Sequence, residues 1–105
     1  MDVQQVIDVI TGQGMLPLYF NADEEVSVEI LRAVYRAGIK AIEYTNRGDA
    51  ALSNFKKLVE VKNVEMPELV LGVGTVKNLS QVKDYIDVGA DFLVSPGLVN
   101  EIADY

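Results

Sequence analysis

The residue with the plainest chemical potential is Glu43, a carboxylate inside the run Ile42-Glu43-Tyr44-Thr45-Asn46-Arg47. Burying a charged carboxylate costs several kcal/mol, as an order of magnitude, unless it is paired or neutralised. A glutamate mid-strand therefore asks for a role. Arg47 follows four residues later, and a guanidinium suits bidentate binding of a carboxylate or phosphate. Two further apolar runs end on small and polar residues, Gly72-Val73-Gly74-Thr75 and Ser95-Pro96-Gly97. Three strands that stop in this way imply a site assembled at one end of a parallel β/α array.

Each residue also has a plainer reading. Along a strand side chains alternate, so Ala41, Glu43 and Thr45 share one face while Ile42 and Tyr44 share the other. The Ile/Tyr face suits packing under helices, which turns Glu43 toward the interior as a general acid/base whose pKa burial would raise. Equally, Glu43 could reach solvent at a strand end or pair with a lysine. Arg47 could simply pair with Asp49 or Asp23. A lone Gly-x-Gly also marks close packing, and Ser-Pro-Gly is commonly a turn. Tyr19, Tyr35, Phe55 and Phe92 read as core, and the lysines at 56, 57, 62, 77 and 83 as solvated charges.

Composition narrows the field. The 105 residues suffice for one small domain, and half of them are hydrophobic. The formal net charge of −7 argues against nucleic acid or an anionic membrane as partner. An anionic small molecule would need a local cation. The chain has no cysteine and no histidine, which removes thiol chemistry, disulfides and the commonest metal ligand, so neither a metal nor a cofactor is expected. The N-terminal residues lack the pattern of a signal peptide, and no apolar run approaches the roughly 18 residues of a membrane span. The cytosol is the expected compartment.

The elements that must position these residues follow from periodicity. Val3, Val6, Ile7 and Ile10 have helical spacing, closed by glycines at 12 and 14. Met15 to Phe20 reads as a first or edge strand because Pro17 lies inside it. Asn21 or Asp23 can cap a helix with Val26, Ile30 and Val34 inward and Gly38 as its stop. A second strand runs from Ile39 to Thr45, then a helix from about Asp49 to Lys62 with Leu52, Phe55 and Val59 inward. A third strand spans Leu69 to Thr75. Asn78 and Gln81 have capping spacing for a helix with Leu79, Val82 and Ile86 inward, stopped by Gly89. Phe92 to Ser95 is a fourth strand, and a further helix begins near Asn100. Strands separated by helices imply a parallel sheet with right-handed crossovers. The repeat of roughly 25 residues is close to the unit of an eight-fold barrel, and Ala37-Gly38 and Val88-Gly89 echo one another before the second and fourth strands.

Taken together, Gly14-Met15-Leu16-Pro17-Leu18, Ile42-Glu43-Tyr44-Thr45-Asn46-Arg47-Gly48-Asp49, Leu71-Gly72-Val73-Gly74-Thr75-Val76 and Val94-Ser95-Pro96-Gly97 resemble the 2-keto-3-deoxy-6-phosphogluconate / 4-hydroxy-2-oxoglutarate (KDPG/KHG) aldolases. The motifs run in register from about residue 5 to the end. The resemblance implies a (β/α)8 barrel of about twice this length, commonly trimeric, and a class I aldolase. In that chemistry a lysine forms a Schiff base with the C2 carbonyl of a keto acid, and cleavage releases pyruvate and an aldehyde. It further implies that Glu43 is the proton shuttle, that Arg47 and Thr75 hold the keto-acid carboxylate, and that Pro96 lines the pocket.

The chain is thus expected to be a single (βα)4 unit over residues 1–105, the α/β N-terminal half of such a TIM barrel with an extra N-terminal helix. The family's Schiff-base lysine lies on the sixth strand and its phosphate site on the seventh and eighth, so this chain should lack both. Lys40 is the only lysine placed on a strand, with parity opposite to Glu43 and at the other end, which leaves no replacement nucleophile. The expected ligand is a small keto acid, and the chain by itself should be inactive. Two rival classes remain. One is a self-associating half-barrel, dimeric through its open edge strands. The other is a small doubly wound α/β binding domain with helices on both faces.

Overall fold

A computed structural model describes residues 3–94; Ser95, Pro96 and Gly97, and the helix expected from Asn100, lie outside the described residues. The elements run α1 (Val3–Gln13), β1 (Leu18–Tyr19), α2 (Glu24–Arg36), β2 (Ala41–Thr45), α3 (Ala51–Glu65), β3 (Val70–Gly74), α4 (Leu79–Val88) and β4 (Leu93–Val94). The strands form one parallel sheet in the order β1-β2-β3-β4. That order has no reversal, so the doubly wound alternative falls. The architecture is the first half of a (β/α)8 barrel, as the alternation of elements implies.

Local chemistry explains the boundaries. Asp23 caps α2 by accepting from the Val26 N–H at 3.0 Å, with Glu24 and Glu25 at the positive end of the helix dipole. Asn78 caps α4 through the Gln81 N–H at 2.9 Å. Gly38 and Gly89, the two echoed glycines, have φ of 97° and 107°, the left-handed conformation that closes each helix. The strands are shorter than the apolar runs imply. Pro17 has no N–H to donate, and its carbonyl accepts from Glu43, so regular pairing of β1 begins only at Leu18.

Ile42 and Tyr44, with Leu71 and Val73, face α2, α3 and α4 and build the main core with Val28, Leu31, Phe55, Leu58, Val82 and Tyr85. Two helix faces differ from the expected stripes. In α2 the buried residues are Ser27, Val28 and Leu31, and Val26 is exposed; in α4 they are Val82 and Tyr85, and Leu79 and Ile86 are exposed. Both helices turn a polar-tipped residue inward because the core contains partners for it. The Ser27 hydroxyl lies 2.9 Å from the Tyr44 hydroxyl, which donates to the Asn21 carbonyl, while Asn54 donates to Asn21, Ala22 and Tyr44. This network ties the β1–α2 loop to β2 and α3, and among the described residues no fully buried side-chain nitrogen or oxygen lacks a hydrogen-bond partner.

The other sheet face is divided. At its N-terminal end α1 lays Val6, Val9 and Ile10 over Ala41, Val70, Leu16 and Phe92. The Gln13 side chain fastens α1 to the start of β2. Its Oε1 accepts from the Lys40 and Ala41 N–H groups at 2.7 and 2.9 Å, and its Nε2 donates to the Ala41 carbonyl at 3.0 Å. At its C-terminal end the same face carries Glu43 and Thr45. Lys40 itself precedes β2 rather than lying on it, with its ammonium 5.2 Å from the Tyr35 ring centre.

Candidate functional site

Glu43 sits in the middle of β2 with only 7% of its surface exposed. No ion pair or side-chain hydrogen bond to a described residue engages its carboxylate. The pairing-lysine reading is therefore not what the fold adopts. Desolvation holds the carboxyl above the ordinary glutamate range, which favours the protonated acid. Its direction is set by a glycine. A Cβ built on Gly74 would lie 2.5 Å from Glu43 Cδ and 3.2 Å from Cγ. The carboxyl thus occupies the space that a side chain at position 74 would fill. Glu43 pairs in register with Gly72, so reaching Gly74 tilts it along the sheet toward the strand C-termini. Gly72 serves the aromatic in the same way, because a Cβ there would collide with the Phe92 ring. The two glycines make room on one face for an acid and an aromatic wall.

The corner where β2 and β3 end is built from Asn46, Arg47 and Thr75. The Asn46 N–H donates to the Gly74 carbonyl at 2.8 Å and its side-chain amide to the Thr75 carbonyl at 3.3 Å. The Tyr85 hydroxyl of α4 donates to Asn46 Oδ1 at 2.8 Å. Burial, with Tyr44 and Asp84 nearby, pushes the Tyr85 hydroxyl pKa up to about 12, so it remains a donor. Thr75 has φ of 63°, the one non-glycine residue with positive φ among those described. For a β-branched residue this conformation is a genuine outlier. Arg47 is exposed just past β2 and pairs with neither Asp49 nor Asp23 among the described residues. Thr45 is buried and donates to the Tyr19 carbonyl at 3.4 Å, so it serves the sheet rather than a ligand.

The fold places Glu43 at the middle of β2, tilted toward the strand ends, with Arg47 just past β2 and Thr75 just past the neighbouring β3, while Pro96 lies outside the described residues. Tyr85 is the contributor that the sequence did not single out, while Gly74 and Asn46 were named only as members of their motifs, without the tasks they perform. The signal for Gly74 was its phase with Glu43 across a parallel pair. Tyr85 had none beyond helical phase with Val82. Of the six lysines, Lys40 precedes β2, Lys56, Lys57 and Lys62 are on α3, Lys83 is on α4, and Lys77 follows β3 in a loop. Lys62 is not the solvated charge its position implied. Its ammonium is largely covered, 3.9 Å from Asp91, whose other task is to accept from the Leu71 N–H. Among the described residues no cluster of acidic side chains has the arrangement of a metal site. No helix among them is long and apolar enough to cross a membrane. A groove of about 630 Å³ between α2 and α3 lies on the outer helical layer; Arg32 and Lys57 line it but pair with Glu29 and Glu60, and the remaining glutamates keep its balance negative, which disfavours an anionic substrate.

Comparison with known proteins gives this arrangement a context. The sequence pattern of the KDPG and KHG aldolases matches residues 6–105. A 2-dehydro-3-deoxy-phosphogluconate aldolase of Pseudoalteromonas atlantica is 31% identical over 97 residues, covering 92% of this chain and 43% of that protein. The 2-keto-3-deoxy-6-phosphogluconate aldolase of Zymomonas mobilis, solved with 3-phosphoglycerate, superposes with a TM-score of 0.74 at 26% identity, over 90% of this chain and 43% of its own. The KDPG aldolase of Legionella pneumophila, solved with pyruvate captured as a covalent carbinolamine, gives the same TM-score at 26% identity, over 84% of this chain and 41% of its own. The chain spans less than half the length of these relatives.

Proposed function

The chain belongs to the KDPG and KHG aldolase family, and from that premise we propose that it supplies the acid/base and carboxylate-binding half of a class I aldolase site. The observation that carries this is the desolvated Glu43 carboxyl, held over Gly74 and tilted toward the corner formed by Arg47 and Thr75. Arg47 offers the cation for a keto-acid carboxylate, and Thr75 a hydroxyl that no described residue occupies. Pro96 would line the same pocket.

The chemistry follows from the charge states. A lysine amine adds to the C2 carbonyl of a keto acid to give a carbinolamine. Glu43, in the acid form that burial favours, donates to the departing hydroxyl, and water leaves to give the iminium. The resulting carboxylate takes the proton of the C4 hydroxyl as the C3–C4 electrons flow into the iminium. Aldehyde and enamine result, and protonation at C3 followed by hydrolysis returns pyruvate and the amine. A carboxyl that burial holds above its ordinary range gives up its proton in one step and takes it back in the other. The substrate class is a 2-keto-3-deoxy sugar acid phosphate or 4-hydroxy-2-oxoglutarate.

None of the six lysines lies on the strand face of Glu43, so the reading assigns the amine to a residue outside these 105. Two measurements on the purified chain test it. Pyruvate added to the labelled protein should shift the Arg47 and Thr75 amide resonances, and Arg47→Ala should abolish the response. Borohydride with pyruvate should leave the mass near 11.5 kDa. A reduced adduct on any of these lysines would overturn the placement of the amine, and no response at Arg47 would overturn the carboxylate site.

A second reading is favoured by the sheet edges. Leu18 on β1 and Val94 on β4 are 57% and 38% exposed, on the same face as Glu43. Pairing of these edges between two copies would cover both. Sedimentation at high concentration that shows only monomer would exclude it.

A further inference from the structure

Thr75 presents a problem that its own sequence does not solve. A β-branched residue in the left-handed region pays a steric penalty that Gly74, one residue earlier, would escape. Such a conformation persists only where surrounding bonds over-determine it. The bonds are present, and they converge from two elements. Asn46 holds the two carbonyls that flank the Thr75 backbone, through its backbone N–H to the Gly74 carbonyl and its side-chain amide to the Thr75 carbonyl. The side-chain oxygen of Asn46 is in turn fixed by the Tyr85 hydroxyl from the far side of the sheet. Tyr85 is itself immobilised, 1% exposed and in edge-on contact with Phe55 at 5.4 Å between ring centres.

We propose that Asn46 and Tyr85 are positioning residues that hold Thr75 in its left-handed conformation and so present its hydroxyl beside Arg47. The direction of the relay follows from the donor inventory. The Tyr85 hydroxyl donates to Oδ1, which leaves Nδ2 of Asn46 to donate to Thr75. An aspartate at position 46 would keep the size and the acceptor but lose the donor. The link from α4 also means that the corner is anchored to the helical layer rather than to the loop alone. The part of the proposal that concerns ligand presentation rests on the keto-acid reading; the conformational part stands without it.

The test is a set of double-mutant cycles in urea unfolding on the chain itself. Thr75→Gly removes the penalty of positive φ, and a left-handed L-residue costs roughly 1–2 kcal/mol. Glycine also frees the unfolded chain, which takes back roughly 2- to 5-fold, so in the parent background the folding constant should rise by up to roughly 15-fold. In an Asn46→Asp background Thr75 is no longer held and relaxes, so the same substitution should gain little or nothing. Tyr85→Phe should give an intermediate gain. Thr75→Asn, whose side chain tolerates the left-handed region, should follow Thr75→Gly in sign. Equal gains in all backgrounds, or no gain in the parent, would overturn the proposal. Pyruvate titration of the same variants reads the keto-acid site separately. Intact coupling with a pyruvate response at Thr75 that Asn46→Asp weakens supports both parts. Intact coupling with no response in the parent supports the conformational part and overturns the presentation of Thr75 to a keto acid.

Discussion

Replacing Gly74 by alanine should move the acid without unfolding the protein. The new Cβ would lie 2.5 Å from Glu43 Cδ, where carbon atoms in contact need about 3.5 Å, so the carboxyl must retreat by about 1 Å. Gly74 is not among the residues with positive φ, so its backbone accepts alanine. Restricting the unfolded chain then favours the variant by about 0.4–1 kcal/mol, which roughly offsets an off-rotamer Glu43 at about 0.5–1.5 kcal/mol. Stability should therefore change by no more than about 1 kcal/mol. The retreat carries the carboxyl off the sheet toward the open face, where hydration lowers its raised pKa. Carbon-13 NMR of the Glu43 carboxyl against pH reads that change, and urea unfolding reads the stability. In any molecule that completes the aldolase site, a shift of this size is large enough to cost on the order of 10²-fold in turnover. Gly72→Ala is the control. Its Cβ meets the Phe92 ring rather than a flexible chain end, so it should cost about 1–3 kcal/mol and leave the Glu43 titration unmoved. An unchanged Glu43 titration in Gly74→Ala, or equal destabilisation by both alanines, would refute the reasoning.

Other outcomes follow from the same structure. For Glu43, a folded-state pKa above the unfolded value means that the native state binds more protons between the two, so its contribution to stability falls as pH rises through that window. Glu43→Gln should accordingly be more stable than the parent at pH 7 and equal to it below about pH 4, where both states are protonated, as paired urea titrations will show. Asn54→Ala removes donors to Asn21, Ala22 and Tyr44 from the buried network and should cost about 1–3 kcal/mol in urea unfolding. Gln13→Ala should release α1 from β2, and hydrogen exchange should accelerate at the Lys40 and Ala41 amides while the β3 amides keep their protection.

The order of elements was legible in the sequence because each strand is a compact apolar run and because Asp23 and Asn78 cap α2 and α4; α3 starts without a side-chain cap. Burial on the helices was less legible. Val26, Ile30 and Val34 form the more apolar stripe of α2, yet Ser27 and Tyr44 meet in the core, and that bond depends on two elements far apart in the chain. The face occupied by Glu43 could be read from alternation with Ile42 and Tyr44. Its direction along that face could not, since the determinant is the absence of a side chain on the neighbouring strand.

The same logic separates the residues that motifs identify from those that make them competent. Glu43, Arg47 and Thr75 have side chains with evident chemistry. Their arrangement depends on Gly74, which contributes only space, and on Asn46 and Tyr85, whose bonds are spent on the backbone. A site assembled at strand ends must control two things the strands do not supply, the tilt of a side chain along the sheet and the conformation of the first residue beyond it. Here the first is set by a missing Cβ and the second by an amide bridged to a helix. A variant that keeps all three chemical residues but fills position 74 or removes the amide at 46 should therefore lose the geometry while it retains the motif. That outcome is measurable as unchanged folding with altered Glu43 titration in one case, and as loss of the Thr75→Gly gain in the other.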